Sequence, residues 1–130
     1  FSGMVSGQYA DLESQKAKVS IEELILMQMN KTGALVKASV CGAALLCDCD
    51  DVSYKNLEKF SLLLGVCFQI KDDLLDAEDK ELGSFPNILG IDKSEKILKH
   101  MTQRAIDQLV DFPKNKFLVS LCDYNLNRTN

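Results

Sequence analysis

The segment Phe68-Gln-Ile-Lys-Asp-Asp-Leu-Leu-Asp76 decides which fold and which chemistry this chain can have. On a helix, four of its polar side chains fall at positions i, i+3, i+4 and i+7 and share one face: Gln69, Asp72, Asp73 and Asp76. The other face is apolar, so the helix can be anchored in a core. Like charges at this spacing cost a few tenths of a kcal/mol per pair, and the acidic face therefore needs a cationic partner.

Magnesium is the partner that suits this acidic face. Mg²⁺ prefers hard oxygen ligands, binds one or two carboxylates and keeps water or phosphate oxygens in its remaining positions. A solvated acidic surface is the alternative interpretation, and it is the better one if the segment is considered alone. The rest of the chain has to decide between the two.

The whole chain has the pattern of an all-α protein, and we predict a single domain over residues 1–130. Apolar residues recur at helical spacing, strand-like alternation is missing, and only two prolines occur. Ser20, with acidic residues after it, is a predicted helix N-cap. The other predicted features are a connection over Cys47–Tyr54 with Ser53 as the next cap, a loop at Gly83–Pro86, and helices over Ile88–Val110 and Phe117–Leu126.

Composition excludes several function classes. The net charge is −4, with 15 basic and 19 acidic residues interleaved, so a nucleic-acid interface is not expected. No apolar run approaches the roughly 20 residues that a membrane span needs. The 5 cysteines are odd in number and form no CxxC pair, which argues against a disulfide framework or a zinc ribbon. We therefore expect reduced thiols and a cytoplasmic protein.

Two further polar segments are candidates for a site. Asn30–Leu35 carries Lys31 beside a hydroxyl at Thr32, and lysine is a good point-charge ligand for diphosphate. Near the start of the chain, Gln8 and Asp11 lie three residues apart and share a helix face. Taken alone, the first segment is more typical of a surface lysine near a helix kink, and the second is a weak signal.

In combination, these segments resemble the trans-isoprenyl diphosphate synthase family, the polyprenyl synthetases of the farnesyl or geranylgeranyl diphosphate synthase type. Gly3–Asp11 resembles the family's GMVxGQxxD stretch, Lys31–Leu35 its KTGAL element, and Phe68–Asp76 its second aspartate-rich motif, FQxxDDxLD. Phe85–Gly90 is similar to the TYPxLLG that follows, and Arg128 stands where the family commonly has a C-terminal arginine. The resemblance covers essentially the whole chain.

The resemblance implies a fold and a metal. The fold would be the C-terminal part of the isoprenoid synthase helical bundle, a set of antiparallel helices around a cavity that is usually found as a homodimer. Asp72 and Asp76, with Asp73 close by, would hold Mg²⁺ against the diphosphate of an allylic substrate. The reaction implied is condensation of isopentenyl diphosphate with that allylic diphosphate.

The resemblance also implies roles for side chains that hold no metal. Lys31 would contact the allylic diphosphate. Thr32 and Gln69 would direct oxygen dipoles at the allylic cation that forms as diphosphate leaves, a form of electrostatic catalysis. Gln8 and Asp11 would bind substrate by lining the cavity near the growing chain.

The sequence departs from the family pattern in two places. The first aspartate-rich motif, which lies upstream of GMVxGQ, is not in this sequence. The family also has a longer loop between the positions of Asp76 and Phe85, carrying further phosphate-binding groups. We therefore predict that these 130 residues alone do not turn over substrate.

Three hypotheses follow for function. The first is an elongating prenyltransferase that makes farnesyl or geranylgeranyl diphosphate. The second is a non-catalytic helical partner of a complete prenyl synthase, suggested by the missing motif and loop. The third is a terpene cyclase on the same bundle, which the combination of KTGAL with GMVxGQxxD disfavours.

Overall fold

The computed structural model describes residues 20–79 and 82–130, and all regular secondary structure in these ranges is helical. The helices are α1 (Ile21–Gln28), α2 (Ala34–Leu46), α3 (Asp51–Leu75), α4 (Phe85–Leu89), α5 (Ile91–Asp107) and α6 (Lys116–Asn127). A π-helical turn, Met29–Gly33, joins α1 to α2, and a 3₁₀ turn, Ala77–Asp79, follows α3. The prediction of an all-α fold is confirmed.

The first two predicted caps have different outcomes. Ser20 caps α1 as predicted: its Oγ accepts from the Glu23 backbone N–H at 3.2 Å, and the Glu23 carboxylate accepts from the Ser20 N–H at 2.9 Å. The prediction of Ser53 as the next cap is wrong. Asp50 caps α3 and accepts from the Ser53 backbone N–H at 2.8 Å, because its carboxylate is drawn to the free N–H groups of the helix start. These hydrogen bonds lower the pKa of Asp50.

The predicted helix over residues 88–110 is also wrong in its bounds. Gly90 has a φ of 87°, in the left-handed region that favours glycine, and it separates α4 from α5. Helix α5 then ends at Asp107. The final predicted helix corresponds to α6, which is longer by one residue at each end.

Helix α3 is the central element of the described fold. Its 25 residues extend about 37 Å, and it packs against α1, α2, α4, α5 and α6. The buried apolar core contains residues of α1, α3, α4, α5 and α6 and Leu109 from the turn after α5: Leu24, Met27, Phe60, Leu63, Leu64, Val66, Cys67, Ile70, Phe85, Leu98, Met101, Ala105, Leu109 and Cys122. The aspartate-rich segment therefore lies at the end of the helix that contacts every other α-helix in the described part of the chain.

Candidate active site

Thr32 and Gln69 connect two segments that the sequence analysis singled out separately. Thr32 lies in the π-helical turn, and its hydroxyl donates a hydrogen bond of 3.3 Å to Gln69 Oε1 on α3, 37 residues along the chain. Both residues are half-buried. The amide of Gln69 is oriented by its other contact, since its Nε2 donates to Asp73 Oδ1 at 3.0 Å and only the amide nitrogen can donate to a carboxylate.

Asp73 has a structural task in this network. Its second oxygen, Oδ2, accepts from the backbone N–H of Phe85 at 3.0 Å, and the residue is only 8% exposed. Phe85 is the first residue of α4 and is itself fully buried. Asp73 thus ties the start of α4 to α3. It stays a predicted metal ligand, although both of its oxygens already accept hydrogen bonds here.

Asp72 points to a different partner from Asp73. It forms an ion pair with Arg128, which directly follows α6. The Arg128 side chain is 12% exposed and that of Asp72 is 50% exposed, so the acid remains open to solvent on one side. Three polar residues of the acidic segment therefore do not share one environment: Gln69 and Asp73 enter the network with Thr32, and Asp72 faces Arg128.

Sequence reasoning noticed Arg128 only through its position near the C-terminus, and missed its pairing with Asp72. Its guanidinium also donates to Asn125 Oδ1 at 2.9 Å and to the Phe68 backbone carbonyl at 3.4 Å, and it lies 5.5 Å from the Phe68 ring centroid. The only available signal was the charge itself, a cation following an amphipathic helix. Nothing in the local pattern indicates which acid it meets.

Asp76 completes the candidate metal site. It follows the last residue of α3, is exposed, and its backbone N–H donates to the Asp72 carbonyl at 2.9 Å, so the two residues lie on successive turns. Within residues 20–79 and 82–130, no group of three or more metal-binding side chains is close enough to hold an ion by itself. Two solvent-accessible carboxylates nevertheless fit a magnesium ion whose other ligands are water and phosphate.

The remaining predicted site residues have less structural context. Lys31 precedes Thr32 on the π-helical turn and is half-buried. Gln8 and Asp11 lie outside the described residues, so their predicted role in substrate binding stays a prediction.

The polyprenyl synthetase family matches this sequence over residues 1–110, most of its length. The chain belongs to this family. The polyprenyl synthetases are magnesium-dependent prenyltransferases of isoprenoid biosynthesis, so the resemblance seen in the motifs is confirmed at the level of the family.

Curated relatives of this chain include plant enzymes. The geranylgeranyl pyrophosphate synthase of Catharanthus roseus chloroplasts is 33% identical, over 98% of this chain and 41% of its own length. The large subunit 1 of a heterodimeric geranylgeranyl pyrophosphate synthase of Arabidopsis thaliana chloroplasts is 32% identical. The alignment covers 98% of this chain and 40% of that subunit. The chain thus spans about two fifths of the length of these relatives.

Solved structures of bacterial proteins share the fold. An FPP/GFPP synthase from Zymomonas mobilis, in its apo form, aligns with a TM-score of 0.84 and 29% identity, covering 95% of this chain and 45% of that one. A geranyltransferase from Helicobacter pylori, complexed with magnesium and isoprenyl diphosphate, aligns with a TM-score of 0.73 and 27% identity. The alignment covers 98% of this chain and 45% of the geranyltransferase. The fold is therefore part of the isoprenoid synthase bundle, as predicted.

The comparisons and the helices also bear on two other expectations, the shorter loop and the location in the cell. The alignment with the Catharanthus relative runs over 145 residues, more than the 130 residues of this chain, so the relative has residues without a counterpart here. None of the helices in the described part of the chain has both the length and the apolar character to cross a bilayer. The cytoplasmic location stays a prediction, and the two plant relatives are chloroplast proteins.

Proposed function

We propose that this chain supplies the C-terminal half of the active site of an enzyme that condenses isopentenyl diphosphate with an allylic diphosphate. The product would be farnesyl or geranylgeranyl diphosphate. The hydrogen bond between Thr32 and Gln69 carries the proposal, because it joins the KTGAL element to the aspartate-rich helix, one turn before Asp72. A polar pair of this kind beside exposed carboxylates suits a reaction that creates positive charge next to a departing anion.

The proposed site residues have two roles, binding of the metal and diphosphate and stabilisation of the allylic cation. Asp72 and Asp76, with Asp73 as the third predicted ligand, would hold Mg²⁺, and Lys31 would add a positive charge beside the same diphosphate. Bound magnesium would supply the positive charge that stabilises the leaving diphosphate.

Thr32 and Gln69 would face the allylic cation. Because the hydroxyl hydrogen of Thr32 is donated to Gln69, the lone pairs of its oxygen remain available to a nearby positive charge. The hydrogen bond from Gln69 to Asp73 fixes the amide and keeps its oxygen on the side of Thr32.

For this function, the 130 residues would need the additional residues and metal ligands that a complete synthase supplies. The chain spans about two fifths of the length of its relatives, and within residues 20–79 and 82–130 it brings together no group of three metal-binding side chains. We expect the isolated 130 residues to be inactive, and the complete assembly, a homodimer by the family resemblance, to require Mg²⁺.

The experiment is an assay of prenyl transfer by the protein isolated from its natural source, with isopentenyl diphosphate and an allylic diphosphate, with and without Mg²⁺. We expect product only with Mg²⁺, and a loss of at least about a hundredfold when Asp72→Asn and Asp76→Asn are combined. Asp111→Asn, an exposed acid between α5 and α6, is the matched control and should retain activity. Full activity of the double variant would overturn the proposal.

A second candidate is a helical partner subunit of a complete synthase. The Arabidopsis relative, described as the large subunit of a heterodimeric synthase, favours it. The intact mass in the native extract separates the two candidates. A mass of 14.5 kDa together with a copurifying synthase supports the partner subunit, and a mass at least about twice as large supports the complete enzyme.

A further inference from the structure

Arg128 is held in place by contacts that do not involve Asp72. Its Nε donates to Asn125 Oδ1 at 2.9 Å, and one of its terminal nitrogens donates to the Phe68 carbonyl at 3.4 Å. The guanidinium also lies 5.5 Å from the centroid of the Phe68 ring, within the range of a cation–π contact. The position of this cation is therefore fixed by α3 and α6, and Asp72 meets it there.

This fixed cation has a consequence for metal binding. Asp72 is half exposed and is the first of the two carboxylates that fit Mg²⁺. A magnesium ion bound to Asp72 would lie close to the guanidinium, and the two cations would repel each other. Because Asn125 and the Phe68 carbonyl anchor Arg128 independently of Asp72, the guanidinium stays close to the ion and the repulsion persists.

We propose that Arg128 makes magnesium binding at Asp72 depend on the presence of a diphosphate. The guanidinium pairs with Asp72 in the metal-free protein and disfavours bare Mg²⁺. When Mg²⁺ arrives with a diphosphate, the negative charge of the diphosphate compensates both cations, and the penalty is lost. Arg128 is then a positioning residue that couples the binding of two ligands. This inference rests on the proposed function, since it takes Asp72 as a metal ligand.

A purely structural role for Arg128 is a weaker explanation of its contacts. The C-terminal end of α6 already has a cationic partner, because Lys71 donates from Nζ to the Leu126 carbonyl at 3.0 Å. A structural role would also leave the affinity for bare metal unchanged when Arg128 is replaced. The coupling proposed here predicts an increase in that affinity.

The experiment measures binding of Mn²⁺, a paramagnetic substitute for Mg²⁺, by electron paramagnetic resonance, with and without inorganic pyrophosphate. The variants are Arg128→Gln, which removes the charge, and Arg128→Lys, which keeps it. Arg104→Gln, on the exposed face of α5, is the control for loss of one positive charge elsewhere. Asp72→Asn combined with Asp76→Asn defines binding that does not use the site. Circular dichroism verifies that each variant is folded.

We expect Arg128→Gln to bind Mn²⁺ alone about five to ten times more tightly than the wild type, and Arg128→Lys and Arg104→Gln to differ from it by less than about twofold. With pyrophosphate, the wild type should gain more affinity for Mn²⁺ than Arg128→Gln does. Equal affinity of Arg128→Gln and wild type for Mn²⁺ alone overturns the coupling but leaves the proposed function standing. If no protein binds Mn²⁺ above the double variant even with pyrophosphate, the proposed function itself fails.

Discussion

Gly65 on α3 and Gly33 in the π-helical turn meet backbone to backbone. A Cβ atom at position 65 would lie 2.5 Å from Gly33 Cα and 2.7 Å from its nitrogen, closer than real Cβ atoms approach. At position 33, a Cβ would be 3.3 Å from the Leu62 side chain, which is tight but not prohibitive. This close approach is what brings Thr32 within hydrogen-bond distance of Gln69.

The substitution Gly65→Ala should therefore destabilise the fold, because the added methyl group has no space without separating the turn from α3. We expect the free energy of unfolding, measured by urea denaturation, to fall by about 1–3 kcal/mol. Gly42→Ala on α2 is the matched control: nothing lies within 4 Å of a Cβ there. Since alanine is the better helix former, Gly42→Ala should be stabilising by roughly 0.5–1 kcal/mol. Equal effects of both substitutions would contradict the proposed contact.

The π-helical turn marks the limit of what the sequence could predict. Gly33 indicated a kink beside Lys31 and Thr32, but the identity of the turn depends on how closely α3 approaches, which is a tertiary property. The helical periodicity of α3 and the cap at Ser20 were predictable because both are set by neighbouring residues. The break at Gly90 was missed, since the residues on both sides of it continue an apolar helical pattern.

Substitution of Asp73 should destabilise the fold more than substitution of Asp72. Asp73→Ala removes a buried acceptor from Gln69 and from the Phe85 backbone N–H, and should lower the free energy of unfolding by about 2–3 kcal/mol. Asp72→Ala removes a half-exposed ion pair and should cost about 1 kcal/mol or less. Thermal unfolding of both variants without metal makes the comparison. A larger loss of stability for Asp72→Ala than for Asp73→Ala would show that the ion pair with Arg128 stabilises the fold more than the hydrogen bonds of Asp73 do.

The split between these two aspartates also shows why the site was only partly predictable. Helical spacing was enough to place Asp72 and Asp73 on the last turns of α3, with Asp76 directly after the helix. The spacing does not say that Phe85 would direct its N–H at Asp73, or that Arg128 would reach Asp72. Both partners come from distant parts of the chain, and their positions depend on the packing of α4 and α6.

Thr32 offers a test of the proposed cation stabilisation. Thr32→Val keeps the shape of the side chain and removes the hydroxyl oxygen, so it should lower kcat of the complete synthase by about tenfold or more with little change in KM. Thr32→Ser keeps the oxygen and should retain most of the activity. The readout is steady-state kinetics at saturating Mg²⁺. An unchanged kcat for Thr32→Val would remove Thr32 from the proposed catalytic residues.

The buried thiols of Cys67 and Cys122 should make the stability of the fold depend on pH. Burial raises the pKa of Cys67 and of Cys122 from 9.0 to about 11. Because the folded state holds these protons more tightly than the unfolded chain does, the contribution of each thiol to stability is complete below pH 9. It is lost as the pH rises from there through about 11.

We therefore expect the free energy of unfolding, measured by urea denaturation at several pH values, to fall between pH 9 and pH 11. The double variant Cys67→Ala with Cys122→Ala should be less stable at pH 7 but should lose less stability over that range. Cys47→Ala is the control, because this thiol is exposed and its loss should leave the slope unchanged. If the double variant loses as much stability as the wild type on the way to high pH, the fall comes from other groups, and the two thiols do not carry the linkage.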